Sequence, residues 1–398
     1  MLHKILDRLR SVTGRQPLTD EARQVLRLDA AGVPDSDPGI DVAVREALAW
    51  MGRAQDNNAL GDGGVAREYS LLSGWATSYP ETTGYIIPTL LDCARIRRDV
   101  ALRERARRML DWFVEIQLEG GGYQGGRIDS EPVVPVTFNT GQILLGLAAG
   151  VAEFGDTYRP AMRAAGDWLR DSLDPDGCWR RHPTPFAAAG EKAYETHVSW
   201  GLFEAARQDP DRGYGEAGLK QVRWALTKQR ENGWFDDCCL DDPAHPLTHT
   251  IGYVLRGVLE AHRFSGESDL LDASQRTADA LIPLIDASGF LPGRLDSAWR
   301  PTERWACLTG SVQIAHCLML LDRLSGDQRY RDPAFRLTSY VRRTMRLDGS
   351  DGVRGGIKGS FPVDGAYGSF QYLNWAAKFF IDANLLEAEI REQDVPAS

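Results

Sequence analysis

Apolar residues recur along this chain in two alternating styles. One is amphipathic. In ALRERARRMLDWFVEIQ (101–117) the apolar positions fall three and four apart and charges fill the rest, which predicts a helix with one buried face. The other is apolar nearly all round, as in TGQILLGLAAGVAEF (140–154) and TIGYVLRGVLEAHRF (250–264), which predicts helices enclosed on every side. Between them lie turns rich in Gly, Asp and aromatics: QDNNALGDGG (55–64), QLEGGGYQGG (117–126), LDPDGCWRR (173–181), QRENGWFDD (229–237), IDASGFLPG (285–293) and LDGSDGVRGG (347–356). The second helices open near Thr83, Thr140, His197, Thr250, Thr309 and Phe370, at successive intervals of 57, 57, 53, 59 and 61 residues. That is a repeat.

A single helix pair cannot cover its own apolar faces, so neighbouring pairs must stack. Six pairs match an all-α, closed (α/α)6 toroid; an open solenoid is the alternative, but it needs distinct capping repeats. The apolar helices form the inner ring. The amphipathic ones form the outer ring, with Trp50, Trp112, Trp168 and Trp224 turned inward. The expected organisation is an N-terminal helical leader over 1–39, one toroid domain over 40–390, and a tail over 391–398. The leader carries an amphipathic helix pattern followed by the loop AAGVPDSDPGID and is expected to wrap the outside.

Helix pairs of this kind, with Gly/Trp-rich ends, resemble the repeats of squalene-cyclase and prenyltransferase toroids. The same architecture carries glycoside hydrolases, polysaccharide lyases, N-acylglucosamine 2-epimerases and glucuronyl C5-epimerases. YPETTGYIIPTL, THTIGYVLRG and YLNWAAKFFIDA also resemble toroid proteins associated with bacterial exopolysaccharide production. The resemblance covers about residues 40–390; it is specific for fold and weak for reaction.

In such a ring the loops preceding the inner helices gather at one end. There, helix N-termini offer free N–H groups and partial positive charge. Candidate chemistry is therefore sought at the junctions. SYPETTGYIIPTL (78–90) supplies Tyr79, Glu81 and Tyr85, with Arg67, Glu68 and Tyr69 upstream. Glu81 suits a general acid or base, or simply a first-turn carboxylate. The second junction supplies Tyr123, Gln124, Asn139 and Gln142; helix capping also accounts for Asn139. The third supplies Tyr194, Glu195 and His197, an acid and an imidazole two residues apart. The fourth supplies Trp234, Asp236 and His249, where a helix N-terminus favours the neutral imidazole. The fifth supplies Trp299, Arg304, Trp305 and Gln313, with Arg304 suited to clamping a carboxylate or to packing flat on a tryptophan. The sixth, GGIKGSFPVDGAYGSF, supplies Lys358 and Tyr367 and reads as a lid or substrate loop. Glu81, His249, His197, Glu195 and Tyr85 are the catalytic candidates, and Tyr79, Tyr123, Gln124, Asn139, Gln142, Trp234, Asp236, Trp299, Arg304, Trp305, Gln313, Lys358 and Tyr367 are the expected substrate contacts.

Composition narrows the choices. With 43% hydrophobic and 26% charged residues the chain suits a globular domain with a large core. No apolar run reaches the roughly 18 residues that span a bilayer, and no secretory signal pattern is evident, so a cytoplasmic location is expected. A net charge of −10 argues against nucleic acid as partner. The six cysteines form no zinc spacing, and Cys238-Cys239 is expected to be reduced. No P-loop, HExxH, GxSxG or strand-flanked dinucleotide fingerprint occurs, so no metal or cofactor is expected. The chain reads as a carbohydrate-active enzyme on an oligo- or polysaccharide, with uronic acid units. Elimination or C5-epimerisation is favoured over hydrolysis because His, Tyr and Arg stand at the junctions. The alternatives are a terpenoid cyclase or prenyltransferase relative, whose acidic signature FDDCCLDD does not supply, and a non-catalytic sugar-binding toroid.

Overall fold

The computed structural model describes residues 17–393. A leader helix α1 (Asp20–Asp29) precedes the repeats. The outer ring is α2 (Ile40–Asp56), α4 (Val100–Ile116), α6 (Arg159–Ser172), α8 (Tyr214–Leu226), α10 (Ser268–Leu281) and α12 (Arg331–Thr344). The inner ring is α3 (Pro80–Arg97), α5 (Thr137–Phe154), α7 (Thr196–Gln208), α9 (Thr248–Ser265), α11 (Leu308–Ser325) and α13 (Asn374–Gln393). Each inner helix packs against the next, and α13 packs back on both α2 and α3. The ring is closed, not a solenoid.

Each outer helix after α2 packs on the inner helix that precedes it, to which a tight turn joins it, and α2 packs on the last inner helix, α13. The connections from outer to inner helix are long, and all emerge at the N-terminal end of the inner ring. The tightness of that ring depends on glycine. A Cβ on Gly84 of α3 would stand 2.5 Å from Ile143 Cα on α5, and one on Gly201 of α7 would stand 2.4 Å from the Gly141 carbonyl oxygen. Trp50, Trp112 and Trp224 are buried as expected, while Trp168 is half-buried.

The repeated threonines tie loops to helices. The Thr83 hydroxyl donates to the Tyr79 carbonyl at 2.8 Å and accepts from Val65 N–H at 3.1 Å. Thr140 donates to Val136 and accepts from Tyr123 N–H in the same way, and Thr250 donates to the Leu247 and Cys238 carbonyls. None of these inner helices is capped by the side chain of its N-cap residue.

Short strands in the long loops add what an all-α pattern omits. β1 (Glu68–Ser70) pairs with β2 (Gly74–Trp75), and β3 (Ala306–Cys307) pairs with β4 (Ser360–Phe361). β5 (Gln371–Leu373) pairs antiparallel with β1, Tyr69 opposite Tyr372, which knits the first and sixth junctions together at the closure. Part of the N-terminal amphipathic pattern lies outside the described residues. The described part of the leader clamps this seam: Thr19 Oγ1 donates to the Leu71 carbonyl, and the Tyr69 hydroxyl donates to Glu21. Asp29 accepts from Lys358 Nζ at 2.6 Å and from Val363 N–H at 2.8 Å.

Candidate active site

The N-terminal end of the inner ring encloses a cavity of about 470 Å³. Glu81 and Tyr85 reach it from α3, Asn139 from α5, His249 from α9, and Tyr79 and Tyr367 from the loops. The two foremost catalytic candidates and four of their expected neighbours therefore meet in one place.

Glu81 follows Pro80 in the first turn of α3. The helix N-terminus favours its charged form, as do Arg67 nearby and the Tyr79 hydroxyl, which donates to Oε2 at 2.9 Å. Burial opposes all of these and wins, raising the carboxyl to about 7. The Arg67 guanidinium lies 5.0 Å from the Trp375 ring centroid, and its Nη1 holds Glu68 at 2.8 Å. Arg127 also lines the cavity and supplies a second cation.

His249 is 4% exposed, and burial lowers its pKa to about 4, so the imidazole is neutral near pH 7. Its Nδ1 donates to Gln313 Oε1 at 2.6 Å, which leaves Nε2 with the lone pair. Tyr253 and Tyr367 rings flank it at 4.4 and 5.4 Å. The Tyr253 hydroxyl meets that of Tyr85 at 3.4 Å, and Trp375 Nε1 donates to the Tyr367 hydroxyl at 2.8 Å.

Other candidates stand apart from the cavity. His197 is fully buried behind it, its Nδ1 against Gln142 Oε1 at 2.6 Å and its ring against Tyr253 at 4.6 Å. Glu195 is buried near Lys192 and pushed up to about 8, while its neighbour Tyr194 lines the cavity. Tyr123, expected as a substrate contact, is instead core, donating its hydroxyl to the Phe113 carbonyl. Gln124 holds the carbonyls of Arg127 and Ile128 and so shapes the loop that presents Arg127. Trp234 and Trp299 pack edge-to-face on each other, and Asp236 pairs with Arg230 at 2.7 Å. Trp305 is packed with Leu247 and Cys307, behind Tyr367; Arg304 is exposed, and neither lines the cavity. Lys358 is no substrate contact. It is 2% exposed and committed to Asp29, because the leader helix pins the loop read as a lid.

Asn139 is not a cap, since Val136 holds that position. It is 2% exposed with Nδ2 unpartnered, and it lines the cavity. Sequence reasoning missed Phe138, Arg127, Ser130, Phe186, Leu240, Tyr253 and Trp375 as lining residues. Tyr253 was legible, standing one helical turn beyond His249 on the same face. Arg127 and Phe186 carry no local signal. All six cysteines are free and buried. Among the described residues, no group of three His, Cys, Asp or Glu side chains is arranged to hold a metal ion, and no helix is long and apolar enough to cross a membrane.

No protein-family model matches the chain, and no curated protein matches it by sequence. Solved structures do match. An unsaturated glucuronyl hydrolase specific for heparin superposes with a TM-score of 0.71 at 14% identity, over 89% of this chain and 98% of that one. The unsaturated glucuronyl hydrolase of Bacillus sp. GL1 gives 0.67 at 18% identity, over 87% and 96%. A D-mannose isomerase gives 0.70 at 10% identity, over 88% and 97%. A polysaccharide lyase and a family 105 glycoside hydrolase are also similar, at TM-scores of 0.62 and 0.58. The class these neighbours define is the six-hairpin (α/α)6 toroid of carbohydrate-active enzymes, and at such identities the likeness establishes the fold.

Proposed function

We propose that this protein is a carbohydrate-active enzyme that works by acid/base chemistry on a uronic acid-containing oligo- or polysaccharide, as a lyase or C5-epimerase. One observation carries the reading. A carboxyl that keeps its proton up to about pH 7 and an imidazole that is neutral above about pH 4 open on one cavity, with Arg67 and Arg127 beside them. His249 Nε2 takes the proton at C5, next to the uronate carboxylate. The arginines hold that carboxylate and stabilise the charge it gains. Glu81 then gives its proton either to the departing glycosidic oxygen, which leaves a C4–C5 double bond, or back to C5 from the other face. Conventional glycoside hydrolysis needs two carboxylates around the bond, and Glu81 is the one carboxylate among the described residues lining the cavity. The charged groups Arg67, Glu81 and Arg127 in the lining also oppose an isoprenoid substrate. Most matches named above are glycoside-cleaving enzymes or an isomerase, which supports a sugar substrate.

The test is incubation with uronate oligosaccharides in deuterated water. Elimination raises the absorbance of an unsaturated uronate; epimerisation puts deuterium at C5 without it. Both signals are expected to vanish in E81Q and H249A. If neither signal arises with any uronide, the reading fails. A second reading, hydrolytic removal of an unsaturated uronate, is favoured by the two glucuronyl hydrolases among the neighbours. It predicts the opposite sign, a fall in absorbance when the substrate is already unsaturated.

A further inference from the structure

The toroid holds a second cavity, of about 630 Å³, toward the C-terminal end of the inner ring. Three inner helices, α3, α9 and α13, line both cavities. On α9, His249 and Tyr253 face the front and Arg256 the rear; on α13, Trp375 faces the front and Lys378 the rear. The partition is about one ring thick, since Lys378 Nζ lies 5.3 Å from the centroid of the Tyr85 ring that lines the front cavity.

The floor of this rear cavity holds two buried cations. Arg256 is 8% exposed and Lys378 is 1% exposed. They share one indole: Arg256 lies 4.1 Å and Lys378 Nζ 5.8 Å from the Trp200 centroid. Lys378 donates to Asp382 at 2.6 Å, and Asp382 also accepts from Thr89. Glu260, 1% exposed, is shared by Arg256 at 2.7 Å and Arg263 at 2.8 Å. Two buried cations thus face two carboxylates, and Arg263 is exposed. Arg95–Asp92 and Arg323–Glu389 are self-balancing pairs nearer the mouth, where Glu392 is exposed. His316 adds no charge. Its Nδ1 accepts from Arg256 Nη1 at 2.8 Å, and burial with the surrounding cations keeps the ring neutral, so its other nitrogen adds a donor. Arg256 Nη2 has no protein partner among the described residues. Arg256 and Lys378 also lie well inside their helices, away from the C-terminal carbonyls that basic side chains commonly neutralise. A buried guanidinium with an open donor is costly unless an acceptor completes it.

We propose that the rear cavity binds a small molecule bearing an oxyanion group, held by Arg256 and Lys378 over Trp200. Calorimetric titration of the full chain at pH 7 and constant ionic strength, with inorganic phosphate and with a hexose phosphate, tests this. Saturable binding is expected, weakened at least about tenfold in R256M and in K378M and unchanged in R67M at the front cavity. Tighter binding of the hexose phosphate shows that a sugar body fills the remaining volume; equal binding shows that the oxyanion alone is taken. Because either variant risks misfolding, a wild-type crystal soaked in selenate supplies a second measurement, an anomalous peak between Arg256 and Lys378. The proposal is overturned if phosphate binds no better than chloride, if R67M abolishes binding while R256M and K378M keep it, or if selenate leaves this cavity empty while occupying other sites.

Discussion

Replacing Tyr79 with Phe removes one hydroxyl and is expected to push the Glu81 carboxyl further up. Burial raises that carboxyl, while the Tyr79 hydroxyl at 2.9 Å and the Arg67 charge lower it. Both opposing groups favour the carboxylate, so losing either adds to the upward shift. A hydrogen bond to a charged acceptor contributes ~1.5–3 kcal/mol, and 1.36 kcal/mol corresponds to about one pH unit. The lower figure applies, because Glu81 is open to the cavity on one side. Tyr79→Phe should therefore move Glu81 from about 7 upward by about one unit. Arg67→Met should move it in the same direction. The assay is a carboxyl-carbon NMR titration, with Glu81→Gln as the subtraction that assigns the signal. It needs no substrate. If turnover is also followed, the alkaline limb of the pH–rate profile moves up by the same amount, because the acid must hold its proton. The acid limb, set by His249 near 4, stays in place. A wild-type Glu81 that titrates near the ordinary 4.5, or a Tyr79→Phe shift downward, refutes the reasoning.

Gln313→Leu removes the acceptor that holds His249 Nδ1–H, so turnover should fall about tenfold or more while the urea midpoint barely moves, since Gln313 Nε2 is already unpartnered. Gly84→Ala drives a methyl into the α5 backbone and should cost about 1–3 kcal/mol in urea unfolding. Asp29→Ala leaves Lys358 buried without its partner and should cost about 3 kcal/mol; hydrogen exchange should rise over 357–373, and the added Lys358→Met should recover part of the loss. His197→Phe should keep most activity, measured in parallel with His249→Phe, which should lose at least about a hundredfold.

The ring was legible because the repeat imposes it. All-round apolar helices have only one place to go, and the aligned threonines recur because each junction needs the same tie between loop and helix. Glu81 and His249 were legible for a related reason, since equivalent positions in a closed ring face one centre. The loops were not. Their paths depend on contacts between junctions, such as Ala188 N–H to the Leu240 carbonyl and Thr137 N–H to the His182 carbonyl. Lys358 shows the difficulty well. A lysine in a Gly-rich loop suggests a ligand contact, yet its partner Asp29 lies 329 residues away in the leader. Tyr123 and Gln124 likewise sit in a glycine loop that packs inward instead of opening.

The same device occurs twice in the inner ring. Gln142 accepts from His197, and Gln313 from His249, both at 2.6 Å and both between adjacent inner helices. Each pair fixes a neutral imidazole with its Nε2 free. What separates them is the wall each ring faces. His197 Nε2 is buried and unpartnered, behind Tyr85 and Tyr253, with Arg256 and Lys378 on the far side lowering its basicity further. His249 opens on the cavity beside Glu81, and no cation is among the groups that shift its pKa. A proton acceptor needs both access and a basicity that the transition state can draw upon, and His249 meets both conditions. The ring thus holds two imidazoles in the same way, and the loops and the rear cations decide which one is placed to accept a proton.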